Sequence, residues 1–118
     1  MAANRGSLLC LCDRRRKPIA RVLRRSGYFV AEAFSTDQAV AMAFSNYFDL
    51  AVLDQDLFIE IEGWTVAQSL KAVKPNICII LISKSKRLSN ALPRDIDAMV
   101  EDEDDEDLIR CVEELLRH

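Results

Sequence analysis

The stretch Phe48-Asp-Leu-Ala-Val-Leu-Asp54 decides how this chain folds. A short apolar run, Leu50 to Leu53, ends abruptly in an acid. Strands buried on both faces of a parallel sheet read as continuous apolar runs. In open α/β sheets, ligands bind at the carboxyl ends of such strands. Asp54 therefore stands where a reacting group would be. A lone acid after a strand is more often a loop or helix cap, so its meaning depends on what surrounds it.

The flanking sequence repeats one grammar, an apolar run followed by a helical period. Ser7 to Cys12 reads as the first strand. Ile19, Val22, Leu23 and Ser26 space like one face of a helix that Gly27 ends. Tyr28 to Phe34 reads as the second strand. Thr36 is placed to N-cap a second helix, with Val40, Ala43, Phe44 and Tyr47 turned inward. After the third strand, Leu50 to Leu53, a helix follows Gly63 with Val66, Leu70 and Val73 inward and Pro75 just beyond it. Ile77 to Ile82 and Ala98-Met-Val100 are the fourth and fifth strands. Leu108, Val112, Leu115 and Leu116 line a last amphipathic helix.

Strands alternating with helices imply a parallel sheet with right-handed crossovers. Together the units predict an α/β chain with a single flavodoxin-like (βα)5 domain. Its five-stranded parallel sheet would have order 2-1-3-4-5, with helices on both faces. The fourth helix, between Lys84 and Asp95, should be short, irregular or missing, because that segment has little apolar periodicity and contains Pro93. The domain spans 7–117, and 1–6 form an N-terminal extension.

Composition narrows the function. The chain has 118 residues, enough for one core, and is 50% hydrophobic and 30% charged. A net charge of −3 speaks against bulk nucleic-acid binding. No apolar run approaches the ~20 residues of a membrane helix. The start, Met-Ala-Ala-Asn-Arg-Gly, lacks a signal-peptide core, so a cytoplasmic location is expected. Cys10, Cys12, Cys78 and Cys111 read as small buried thiols rather than a disulfide framework. A metal reading of Cys10-Leu-Cys12 lacks a second close cysteine pair, and the sole histidine is His118. Only Gly6, Gly27 and Gly63 are glycines, so there is no glycine-rich phosphate loop, and no Ser-His-Asp or Cys-His set supports an enzyme.

In order, the parts resemble a response-regulator receiver domain over nearly the whole chain, from Ser7 to Arg117. They are a first strand ending at Asp13, the Ser26-Gly-Tyr-Phe-Val30 turn, the Asp49-Leu-Ala-Val-Leu-Asp54 strand, the loop to Gly63-Trp64, Ile79-Ile-Leu-Ile-Ser83, and the closing strand and helix. The resemblance implies that Asp54 is the phosphoacceptor for a histidine kinase. It also implies that Asp13 and Asp54 bind Mg²⁺, and that the hydroxyl of Ser83 meets the phosphoryl oxygen. Departures are equally specific. Cys12 stands where a second metal-binding acid is usual. Val100-Glu101-Asp102 stands where the family has its strand-five lysine and a proline, and Ala98 replaces the aromatic switch residue. Lys84 follows the hydroxyl where a small residue is usual, and is the one substitute cation for the phosphoryl group.

Phosphoryl transfer to a carboxylate depends on offsetting the developing charge. Replacing a lysine with Glu101 shifts the local charge by about two units the wrong way, although a carboxylate there also suits a cation as a ligand. The expected function is an atypical receiver in two-component phosphorelay signalling, acting by phosphorylation-independent protein interaction. The alternative is a working receiver phosphorylated on Asp54 with Mg²⁺. The plainest role for Asp54 is an ionised acid capping a loop. Partners would be a histidine kinase, an output domain or protein, or a second copy in a homodimer.

Two charge blocks complete the reading: Arg14-Arg-Arg-Lys17, and the seven acids Glu101 to Asp107. Asp102 to Asp105 are expected to be solvated, and Glu106 and Asp107 to favour the last helix's first turn. The blocks should face each other across Asp54 as a salt-sensitive latch. Arg21, Arg24 and Arg25 extend the basic surface, which suits an acidic protein partner better than nucleic acid. Pro18 favours a first helix starting near Lys17, with a bent start at Arg14 as the alternative.

Overall fold

The computed structural model describes residues 5–12, 19–54, 63–83, 95–101 and 104–117, with backbone alone for 63–65. In chain order the elements are β1 (Ser7–Leu11), α1 (Ile19–Arg25), β2 (Phe29–Ala33), α2 (Thr36–Ser45), β3 (Leu50–Asp54), α3 (Gly63–Val73), β4 (Cys78–Ser83), β5 (Ala98–Glu101) and α4 (Asp105–Leu115). The strands form one sheet of order β2-β1-β3-β4-β5, with every neighbouring pair parallel. This is the doubly wound arrangement that the alternating pattern predicts. The segment expected to hold an irregular fourth helix lies outside the described residues, as do Pro18 and the start of the first helix.

Hydrophobic burial fixes the layers. All five residues of β3 are buried, as an apolar run at a sheet centre requires. One core layer joins Leu9, Leu11, Leu53 and Leu81 to Ala39 and Ala43 of α2 and Val66, Ala67 and Leu70 of α3. The other joins Leu8, Leu50, Val52 and Ile80 to Ile19, Ala20 and Leu23 of α1 and Leu108 and Val112 of α4. Helices therefore cover both faces, and the two layers follow the side-chain alternation of the strands.

Two expectations for α2 are corrected. Ser35, not Thr36, is the N-cap: its backbone is extended and its side chain accepts from Gln38 N at 3.1 Å. Gln38 reaches back to accept from Phe34 N at 2.9 Å, so the helix start is held from both sides. Phe44 and Tyr47, expected inward, are 75% and 71% exposed. The inward stripe runs through Ala39 and Ala43, with Val40 and Met42 packed beside it. Phe44 is one position past that stripe, a rotation of about 100°.

The last helix adds to a third. Asp104 is exposed, as expected, and Asp105 is half-buried, yet both also serve the helix start. Asp104 is the N-cap of α4 and accepts from Asp107 N at 3.0 Å, while Asp105, Glu106 and Asp107 fill the first turn. Unpaired N–H groups and the positive end of the helix dipole favour acids there.

Side-chain bonds seal the sheet. Phe29 N donates to Gly6 O, and Ala33 O accepts from Cys12 N, so Val30 and Glu32 present their backbone groups to the open edge of β2. Arg24 donates to Val30 O at 2.8 Å and pairs with Glu32 at 3.2 Å, which covers that edge with charge. At the amino end, Asp49 accepts from Ser7 N at 2.8 Å and from the Tyr47 hydroxyl at 2.9 Å. Arg5 donates to Ser26 O at 2.9 Å and to Glu113 at 3.0 Å, joining the ends of α1 and α4. Gly27, at φ 98, closes α1 in a conformation that side chains resist.

Leu53→Ala is expected to destabilise the fold by about 2–5 kcal/mol through loss of packing and a residual cavity. Phe44→Ser should change stability by no more than about 0.5 kcal/mol. Urea midpoints at constant m-value test both, and a large loss for Phe44→Ser would contradict its exposure.

Candidate functional site

Parallel strands put all their carboxyl ends at one edge of the sheet, and the chemistry-bearing residues collect there. Asp54 ends β3 and is 1% exposed. Ser83 ends β4 and is 8% exposed. Glu101 ends β5, is exposed, and pairs in register with Ser83. Asp54 pairs in register with Ile82, one position before Ser83. The third, fourth and fifth strands thus deliver a buried carboxylate, a buried hydroxyl and a solvent-facing carboxylate to the same edge. Glu101 stands directly across the ladder from Ser83, where the family resemblance expects a lysine. Ala98 is half-buried against the α1 and α4 layer, and carries no ring.

The remaining expected members, Asp13 and Lys84, lie outside the described residues, as do Arg14 to Lys17 and Asp102. The structure therefore brings Asp54, Ser83 and Glu101 to one edge, and the expected latch involves residues beyond those described.

One neighbour escaped the sequence reading. Cys10 lies on β1 and Cys12 one residue past its end; both pack in the α1 and α4 layer, and both are buried. Val52 faces the same layer, and alternation puts Asp54 on that side too. The Cys10 thiol is pushed well above its ordinary value, first by its hydrogen bond with Cys12, then by burial, and further by the charge of Cys12, Glu32 and Asp54. Strand alternation was the signal that pairs the two thiols. Reading them only as packing residues hid their closeness to the acid. The Cys78 thiol is also raised, chiefly by burial and by Asp97, with Lys71 opposing.

Among the described residues only part of a Mg²⁺ donor set is present. A hard cation wants several oxygen ligands, and Cys12 offers a soft sulfur in the slot of the second acid. Among the described residues no group of three or more His, Cys, Asp or Glu side chains could hold a metal ion. Asp54 contributes one buried carboxylate, and Asp13, the other expected ligand, lies outside the described residues.

A cavity at the opposite, amino edge is lined by Arg5, Tyr47, Asp49, Asn76, Cys78 and Leu116. Its charged groups already hold the fold together, through the Asp49 and Arg5 bonds described above, so it does not converge on chemistry.

Comparison with solved structures identifies the fold. The response regulator TrrA from Thermotoga maritima, solved in complex with Mg²⁺ and beryllofluoride, is 24% identical with a TM-score of 0.79, and the match covers 93% of this chain and 98% of that one. A CheY-like response-regulator receiver domain from Methanospirillum hungatei JF-1 is 20% identical with a TM-score of 0.77, covering 95% and 94%. NtrX from Brucella abortus is 23% identical with a TM-score of 0.82 over 99% of this chain and 27% of that one. No protein-family model matches the sequence. No curated protein matches it either. The chain has the flavodoxin-like fold of response-regulator receiver domains.

Alkylation of the native protein should modify the half-buried Cys78 and Cys111 well before Cys10 and Cys12. A thiol whose folded value lies above its unfolded one stabilises the fold fully below the unfolded value. That contribution is lost as pH rises through the folded value. Stability should therefore decline on the alkaline side of the ordinary thiol range, and Cys10→Ala should flatten that decline. Denaturant titrations across alkaline pH measure it, and an unchanged slope would rule out the Cys10 assignment.

Proposed function

We propose that this chain is an atypical receiver domain of two-component signalling, which acts through protein contacts that do not depend on phosphorylation of Asp54. The observation that carries this reading is Glu101 at the end of β5, in register with Ser83. A phosphoryl group on Asp54 would meet a carboxylate where charge neutralisation calls for a cation. Like charges at such a site raise the cost of forming the phosphoaspartate instead of lowering it. Cys12 weakens the cation site from the other side of β3. Ala98 supplies no ring to couple the edge to a docking surface. A ligand shifts an equilibrium only by its differential affinity for the two states, and with no ring to move that difference is small.

The protein would act as a non-enzymatic signalling domain in the cytoplasm, binding a kinase, an output domain or protein, or a second copy of itself. No helix among the described residues is long and apolar enough to cross a membrane.

The second reading is a working receiver, phosphorylated on Asp54 with Mg²⁺. It is favoured by the position of Asp54, buried at the carboxyl end of the central strand. The TrrA structure in complex with Mg²⁺ and beryllofluoride shows what a receiver of this fold accommodates. Asp13 and Lys84 would be its remaining contributors.

Titration with Mg²⁺ and beryllofluoride, followed by amide NMR, separates the readings. The proposed function expects no shifts centred on Asp54 at millimolar reagent, and an apparent affinity at least about tenfold higher in Glu101→Lys, because one variant both removes an anion and supplies a cation. Shifts in the unmodified protein that disappear in Asp54→Ala would establish the working receiver instead.

A further inference from the structure

The run Cys10-Leu-Cys12 places two thiols side by side beneath the carboxyl edge. Both are buried, and a hydrogen bond links their side chains. Cys12 N donates to Ala33 O at 3.2 Å, so the backbone keeps its place in the sheet ladder through Cys12. Both side chains therefore stand on one side of an extended backbone, with Cβ atoms about 6.6 Å apart. That spacing is too wide for a disulfide, whose Cβ atoms lie about 3.8 Å apart. None of the four cysteines is in a disulfide. Two sulfurs that lean together across this spacing leave a gap that a single ion spans, since a metal–sulfur bond is about 2.3 Å long.

The neighbours decide which ion. Leu11 pairs in register with Leu53, so Cys12 follows beside Asp54. Even so, among the described residues no third His, Cys, Asp or Glu completes a ligand set with the two thiols. Structural Zn²⁺ needs four ligands, and Mg²⁺ needs oxygens. A pair of sulfurs alone suits a soft, closed-shell monovalent ion, which two thiolates satisfy. We propose that Cys10 and Cys12 form a two-sulfur site for a cation of the Cu(I) class. On binding, each thiol gives up its proton to solvent, two sulfur–metal bonds form, and no electron is transferred. Ile19, Ala20 and Val52 belong to the same buried layer and keep water and oxygen ligands from competing. Cys12, one residue past the strand, is the point of entry, and Cys10 is the second ligand within the sheet. The site goes beyond the signalling reading above and does not rest on it.

Anaerobic titration of the full chain with Cu(I), supplied as its complex with the chelator bicinchoninate, tests this. One Cu(I) per chain should leave the chelator, and X-ray absorption should count two sulfur neighbours. Cys78→Ala with Cys111→Ala should leave that stoichiometry unchanged. Cys12→Ala should weaken binding at least about 100-fold, more than the loss of an outer-shell partner does. A cooperative melting transition shows that the variant folds, and the nearly isosteric Cys12→Ser repeats the test. Zn²⁺ should not displace the bound ion. Copper that stays with the chelator, binding indifferent to both Cys12 substitutions, a third sulfur neighbour, or displacement by Zn²⁺ overturns the proposal. The beryllofluoride titration is run without copper, so failure here and failure of the proposed function are separate outcomes.

Discussion

Burial of β3 on both faces is the constraint from which the rest follows. Such a strand leaves no room for a polar side chain until the sheet ends, and Asp54 is the first residue where one is tolerated. Its burial makes it sensitive to every charge brought to the same edge, because a low-dielectric surrounding strengthens electrostatic interaction. The identities of Cys12, Ser83 and Glu101 therefore matter more than their distance along the chain suggests. Strand register, set by packing far from the edge, decides which of them face one another.

That dependence explains what the sequence made legible. The sheet order, the helices on both faces and the buried strands follow from apolar runs alternating with helical periods, and those signals are strong because whole elements carry them. Asp54, Ser83 and Glu101 were legible because each ends a strand, and a parallel sheet brings strand ends together. Phe44 and Tyr47 were misread because α2 packs through alanines, and an apolar residue beside a small-residue stripe looks inward by composition alone. Thr36 was misread as a cap because its neighbour Ser35 offers the same hydroxyl one position earlier. Asp104 and Asp105 were hidden inside a run of acids, where capping and solvation look alike. The proximity of Cys10 and Cys12 to the acid needed the register between β1 and β3, which composition does not supply.

The carboxyl edge and the outer helix face use charge in opposite ways. At the edge, the described strand ends bring two carboxylates, Asp54 and Glu101, and one hydroxyl, Ser83. On the helix face, Arg21, Arg25 and Glu106 are exposed and form no ion pair among the described residues. The fold itself constrains neither, as the low identity to proteins of the same architecture shows.

The pair of Arg24 and Glu32 has a consequence beyond packing. An open sheet has two ends at which it can grow by adding strands from other chains, the route to linear polymers. Here β2 is closed by a guanidinium seated on its outward carbonyl, and the opposite end is the four-residue β5, finishing in Glu101. An incoming strand would have to displace a charged group at one end and find almost no template at the other. Growth of the sheet by strand addition is therefore opposed at both of its edges.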